Sequence, residues 1–441
     1  MAHGRAAREG RRLAEADPLR SAGGRSHAGG SAPGTAAFHE LGGSGADRAR
    51  AQHARAGVVP AHRRQRTCPA RVSQGRCCPP GADRQPPPRR RQPALAPAAQ
   101  GHARHRLVTP SAVNPIIKPL ALGRPSFLNA PRCTSLDLLN ADVAVLGCPY
   151  STPECLDDSR APSSEAPDAV RFQSLRLAES FDHYYDFDFG GELMAGLRLS
   201  IVDCGDAWAV PGRYSDNSRA ASLAIGAILD SGALPLILGG DHAATMPAMR
   251  AYRSREEMCV VHFGADLDFR EEVNGVRDGP HSAMRRVSEL PCVASMIHIG
   301  LRGSGATLLG DVDAAVALGS VLVRAEEVHR LGAAEFVART PDAAGYFISL
   351  DVDCLDPAIA PGVAVPRFGG LTYFQVTNLL KGLATRGPVI GASLVGIVPA
   401  HDLHGLTSLL GARLILNLLG ALAHADRLPV RQRQQVVAAG G

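Results

Sequence analysis

The run Ser349-Leu350-Asp351-Val352-Asp353-Cys354-Leu355-Asp356-Pro357, continuing through Ala360-Pro361-Gly362, constrains this 441-residue chain more than any other stretch. An apolar strand, Tyr346 to Leu350, feeds straight into three carboxylates and a Pro/Gly turn. Asp351 and Asp353 are two apart, so on an extended strand they point to the same side. Carboxylates stacked at the end of a buried strand repel one another and lose their hydration, and a cation removes both penalties. The pattern recurs. Leu234 to Leu238 ends in Gly239-Gly240-Asp241-His242, and Cys259 to Phe263 ends in Gly264-Ala265-Asp266-Leu267-Asp268. Three strands thus deliver His242, Asp266, Asp268, Asp351 and Asp353 to one edge of a sheet. Mixed histidine and carboxylate donors suit manganese, nickel or zinc better than calcium.

The region from residue 107 onward alternates apolar strands with amphipathic helices. Strands are expected near 142–148, 199–204, 234–238, 259–263, 295–300, 320–324, 345–351 and 389–397. Helices are expected near 218–230, 244–252, 304–316, 332–339, 373–385 and 405–424. Continuous apolar strands separated by helices predict a three-layer α-β-α domain around a parallel eight-stranded sheet. Ligands then collect beyond the carboxyl ends of the strands, where the acidic clusters fall.

These motifs resemble the ureohydrolases: arginase, agmatinase, guanidinobutyrase and their relatives. The resemblance covers about residues 135–425. It begins at the strand Asp142 to Tyr150 and continues through Ala166-Pro167-Asp168-Ala169-Val170-Arg171 and Val202-Asp203-Cys204-Gly205-Asp206. Gly-Gly-Asp-His and Ser-x-Asp-x-Asp-x-x-Asp-Pro-x-x-Ala-Pro-Gly are its specific signatures. Arg302, Gly370-Leu371-Thr372 and Pro399 to Arg413 also fit. The resemblance implies an arginase-like fold. It also implies two divalent ions that lower the pKa of a shared water, which attacks a guanidinium carbon and releases urea. Position by position, His242, Asp268 and Asp351 match ligands of the first ion. Asp351 and Asp353 match ligands of the second, with Asp351 bridging. His281, in Gly279-Pro280-His281-Ser282, matches the histidine that assists proton transfer.

The departures from the family pattern fall in the two centres that matter. The third-strand motif of the family is Asp-Ala-His-x-Asp. Here Gly264 replaces a carboxylate that bridges both ions, and Asp266 replaces a histidine ligand of the second. Losing a bridging carboxylate hurts a pair of close dications more than losing a terminal ligand. A single ion on His242, Asp268 and Asp351 remains conceivable. Asp266 reads either as a substitute ligand or as a tolerated polar residue. Farther on, the family's Gly-x-Asp-x-x-Glu-x-x-Pro becomes Gly391-Ala392-Ser393-Leu394-Val395-Gly396-Ile397-Val398-Pro399. Gly396 stands where a glutamate pairs with the substrate guanidinium, and a buried planar cation needs such a partner. Plain structural roles compete with these assignments. Asp241 and Asp356 fit turn residues, and His281 is one of several loop or strand histidines, with His262, His298, His401 and His404.

Residues 1–106 differ sharply from the rest. They hold twenty Arg, no Lys, six acidic residues and one aromatic, Phe38. That segment carries +14 of a total formal charge of +5, which leaves −9 for the domain at 107–441. The segment lacks periodic apolar residues, so disorder is expected. It reads as an upstream extension from a mis-set start, with the true start near Val108, in preference to a nucleic-acid-binding arm or a transit peptide. Neither nucleic acid nor membrane is an expected partner. The longest apolar stretch, Leu406 to Ala423, is broken by Thr407, Ser408, Arg413 and Asn417. Ten cysteines, scattered singly except for Cys77-Cys78, fit a reducing cytoplasm.

Three functions from different classes fit this pattern. The first is a catalytically silent subunit assembled with an intact homologous ureohydrolase, as in nickel-dependent metformin hydrolases, whose degenerate partner this chain resembles. A hexameric hetero-oligomer is then expected, with nickel or manganese in the active partner and reduced or no metal in this chain. The substrate would be a small guanidino or biguanide compound. The second is an autonomous hydrolase with a rebuilt metal site. The third is a non-enzymatic binding protein on the same scaffold.

Overall fold

Alternate residues of the same strands enter two separate hydrophobic cores, and this arranges the molecule in layers. The computed structural model describes residues 116–152, 162–181 and 183–428. The strands are β1 (Ile117–Lys118), β2 (Val143–Cys148), β3 (Tyr185–Asp186), β4 (Gly191–Glu192), β5 (Ile201–Ala207) and β6 (Leu234–Gly239). They continue with β7 (Met258–Phe263), β8 (Val293–Leu301), β9 (Val321–Arg324), β10 (Tyr346–Asp351) and β11 (Val389–Val395). The helices are α1 (Ala166–Ser174), α2 (Tyr214–Asp230), α3 (Thr245–Ala251), α4 (Ala283–Ser288) and α5 (Leu309–Ala317). After them come α6 (Ala325–Leu331), α7 (Ala333–Arg339), α8 (Tyr373–Arg386) and α9 (Leu406–His424).

Every residue of β2, β6, β7 and β10 is buried. Such strands are covered on both faces. Val143 and Val145, Val261 and Phe263, and Ile348 and Leu350 join one core with α1, α6, α8 and α9. Ala144 and Leu146, Val260, and Phe347 join the other with α2, α3 and α4. The result is the expected α-β-α sandwich.

The main sheet runs β1-β5-β2-β6-β11-β10-β7-β8-β9. The eight expected strands are present and mutually parallel. Among the described residues the sheet nonetheless has nine strands, because β1 pairs antiparallel with the edge strand β5. Two residues followed by Pro119 carry no readable periodicity, so β1 escapes sequence reasoning. Helix α5 starts at Leu309, later than the expected 304, where the Asp311 carboxylate accepts the Leu308 N–H at 2.8 Å. Helix α1 falls outside the expected helices, as do α4 and α6, which are a turn or two each.

The span Leu403–His424 is long and apolar enough to cross a membrane, but 78% of its apolar window is buried inside the molecule. It is a core helix. The extension at 1–106 lies outside the described residues.

Candidate metal centre

Parallel strands put all their carboxyl ends at one edge, and the residues singled out from the sequence meet there. A cavity of about 300 Å³ is lined by His242, Asp266, Asp268, His281, Asp351 and Asp353, together with Asp241, Arg367 and Gly396. His242 enters from the single 3-10 turn after β6. The turn is capped by Asp241, whose carboxylate accepts the N–H groups of Thr152 and Ala243. Gly240 is required just before it, since a Cβ there would lie 2.0 Å from the Tyr150 carbonyl oxygen. Buried His242 is fixed from both sides. Its Nε2 lies 3.0 Å from Ser349 Oγ, and its Nδ1 lies 2.6 Å from Asp268 Oδ2. Thr245 Oγ1 ties Ser349 and Ser393 together behind the ring, at 3.2 and 2.9 Å.

Asp268 sits at φ +52°, a left-handed conformation that aspartate tolerates better than most residues. Such backbone occurs at functional sites. Asp351 ends β10, with Oδ1 accepting the Asp353 N–H at 2.9 Å and Oδ2 3.9 Å from His242 Nδ1. Asp353 Oδ1 accepts the Ala265 N–H at 2.9 Å. Burial, then repulsion from Asp353, pushes the Asp351 carboxyl well above the usual range. Burial also raises Asp353. Burial and the neighbouring Asp268 push Asp266 up to about 6, against the pull of Arg367. Buried carboxylates that raise one another in this way are in want of a cation.

Part of that need is met from within. Arg367 Nη1 lies 2.5 Å from Asp266 Oδ2 and 3.9 Å from Asp353 Oδ2. Asp266 is therefore turned toward a guanidinium. Arg302 positions this corner. Its guanidinium donates to the carbonyls of Asp353, Leu355 and Arg367 at 2.7, 3.0 and 2.9 Å. Asp356 serves as a turn residue, accepting the N–H groups of Ala358, Gly369 and Gly370.

The two glycine replacements sit in tight surroundings. Gly396 has φ +83°, and a Cβ there would fall 2.1 Å from Asp351 Oδ1. A Cβ on Gly264 would fall 2.4 Å from His262 Nε2. By sequence alone His262 is one of several histidines. It belongs to a polar row across four neighbouring strands, because Ser393, Ser349, His262 and His298 are consecutive register partners. His262 and His298 are fully buried, with their Nδ1 atoms 2.9 Å apart. Burial, and the neighbouring His242, depress the pKa of His262 far below the usual value; burial takes that of His298 down to about 3. Both rings are neutral. The sequence signal for His262 was its spacing: residues 262 and 264 share one side of a strand. Nothing local marks Arg367, which reaches the site from a loop.

A profile of the Arginase family matches residues 141–420. The chain belongs to the arginase family. A guanidinopropionase of Pseudomonas aeruginosa is 31% identical over 70% of this chain and 94% of its own length. An agmatinase of Neisseria meningitidis serogroup C is 28% identical over 64% of this chain and 87% of its own. Among solved structures, the proclavaminate amidino hydrolase from Streptomyces clavuligerus is similar with a TM-score of 0.60 and 27% identity, over 68% of this chain and 97% of its own. Members of the arginase family are binuclear metal enzymes, usually of manganese.

The residues present do not fit a family-type pair of ions. No side chain exists at Gly264 to bridge, and the tip of the His262 ring lies 2.4 Å from where its Cβ would be. Asp266, in place of a histidine, is held by Arg367. Arginine beside Asp353 also puts a fixed positive charge near the second position, where it opposes a dication.

Proposed function

We propose that this chain is the non-catalytic subunit of a metal-dependent amidinohydrolase, assembled with an intact homologue. The active partner would hold nickel or manganese and cleave a guanidine or biguanide, of the metformin type, to urea and an amine. The observation that carries this reading is that Arg367 holds Asp266 and lies beside Asp353, so protein charge takes the second-ion position while Gly264 supplies no bridging carboxylate. The Gly396 replacement supports the same reading, since it removes the carboxylate that would pair with a guanidinium and admits no simple reversal. Exposed Tyr184, Tyr185 and Phe187 give the β3–β4 hairpin an apolar surface suited to a subunit contact. A cytoplasmic setting belongs to the reading as well: Cys133, Cys148, Cys204, Cys259, Cys292 and Cys354 are buried free thiols.

Co-expression with a homologue that keeps Asp-Ala-His-x-Asp, followed by native mass spectrometry, tests the assembly. A mixed oligomer, a hexamer in the simplest case, supports the reading. Two separate homo-oligomers that never exchange subunits contradict it.

The surviving cavity with His281 in its wall favours one second reading, an autonomous hydrolase with an altered site. It requires urea release by this chain alone.

A further inference from the structure

The cluster retains one feature that neither the Arg367 ion pair nor the hydroxyl row uses. His262 Nε2 is buried and has no hydrogen-bond partner among the described residues. It points into the space a side chain at 264 would occupy. One donor atom each from His242, His262 and Asp268 lie within 4.8 Å of one another. His262 is not among the positions that match family ligands, so this triad differs from the first-ion set of His242, Asp268 and Asp351.

We propose that the chain binds a single divalent transition ion on His242, His262 and Asp268. The three residues come from the turn after β6, from β7 itself and from the loop after β7. Two imidazoles and a carboxylate suit zinc, nickel or cobalt, and discriminate against calcium and magnesium. The surroundings pre-set the donors. Ser349 beside His242 Nε2 gives that nitrogen a hydroxyl to meet and leaves Nδ1 toward Asp268. The 2.9 Å contact between the Nδ1 atoms of His262 and His298 can hold only one proton. When His262 donates it, His262 Nε2 is a bare lone pair facing the site, which is how histidine ligands are commonly oriented by a neighbour. His298 is then a positioning residue. Arg367 stays on Asp266, so the second position remains occupied by protein charge. The ion would tie neighbouring strand ends together without restoring the family's pair.

The inference rests on the reading that the family's pair is lost, but not on the existence of a partner subunit. Its test is elemental analysis and metal-edge X-ray absorption on the full chain, after chelation and dialysis against zinc or nickel. The expected result is about one ion per chain with two imidazoles in its coordination sphere. His262→Gln should lower occupancy to near zero, while Glu335→Gln, in an exposed ion pair on α7, leaves it unchanged. Because X-ray absorption counts imidazoles in the unaltered protein, the test stands even where a variant fails to fold. No bound ion, or an ion with only one imidazole, overturns the inference and leaves the subunit reading intact. About two ions per chain would overturn both.

Discussion

Two clusters of arginine and aspartate lie near the carboxyl ends of strands, and they differ in whether the charges close on themselves. At β5, fully buried Arg171 reaches Asp203 through Nε and Nη2 at 2.9 and 3.1 Å, Asp206 at 2.7 Å, and the Gly205 carbonyl at 2.7 Å. Asp203 also accepts the N–H groups of Phe127 and Gly205 at 2.8 and 2.9 Å. That cluster is an internal staple between α1 and β5. At β7 and β10, four carboxylates face one another, and the guanidinium of Arg367 contacts only Asp266 closely. Its Nε has no partner among the described residues. In the first cluster Arg171 donates from Nε, Nη1 and Nη2 alike, whereas the second opens to a cavity with its guanidinium partly unengaged. Both would read from sequence as charged family motifs. Only the hydrogen-bond inventory separates a structural ion pair from a site awaiting a cation.

Arg171→Leu is the strongest way to break this comparison. It strands the Asp203 carboxylate in the interior, which costs about 3–5 kcal/mol. Urea denaturation measures it, and a loss below about 1 kcal/mol would mean the staple behaves like a surface pair.

The open cluster should respond to pH in the opposite sense from a stabilising salt bridge. Asp266 is raised from its ordinary 3.8 to about 6, so the fold prefers its protonated form. Its contribution is fully present below the unfolded value and is lost as pH rises through the folded one. In chelator-treated protein, stability should fall by about 2–3 kcal/mol between roughly pH 4 and pH 7. Thermal melts across that window check this. A rise in stability with pH would place a satisfied, depressed carboxylate there instead.

Gly396→Ala tests the substrate end. A β-carbon at φ +83° pressed against Asp351 should cost about 1–3 kcal/mol. An unchanged unfolding midpoint would show that Asp351 moves aside freely. Smallest is Asp353→Asn, which keeps an acceptor for the Ala265 N–H and removes one repelling charge. The chelated variant should be as stable as the parent or about 1 kcal/mol more stable, whereas a loss of several kcal/mol would put Asp353 in a closed network like that of Arg171.

The layers, the parallel order and the meeting of His242, Asp266, Asp268, Asp351 and Asp353 were legible because strands buried on both faces are continuous apolar runs. A parallel sheet then gathers whatever follows them. Edge strand β1 was not legible, being two residues long and specified by its pairing with β5 rather than by its own pattern. Arg367 and His262 were missed for a different reason. Their importance depends on register and loop placement, which a residue's own neighbours do not encode. The Asp266 change could be seen in sequence, but its compensation by Arg367 could not. Gly264 looked like simple loss until the His262 ring was found in the space it leaves.

The central claim is that this chain does not hydrolyse guanidines by itself. Urea release is the direct measurement, with linear guanidines and biguanides, under saturating manganese and then nickel. The assay compares this chain alone, an intact homologue alone, and the two assembled together. The account predicts no release above background from this chain and greater release from the assembly than from the homologue alone. Sustained turnover by this chain alone would contradict it.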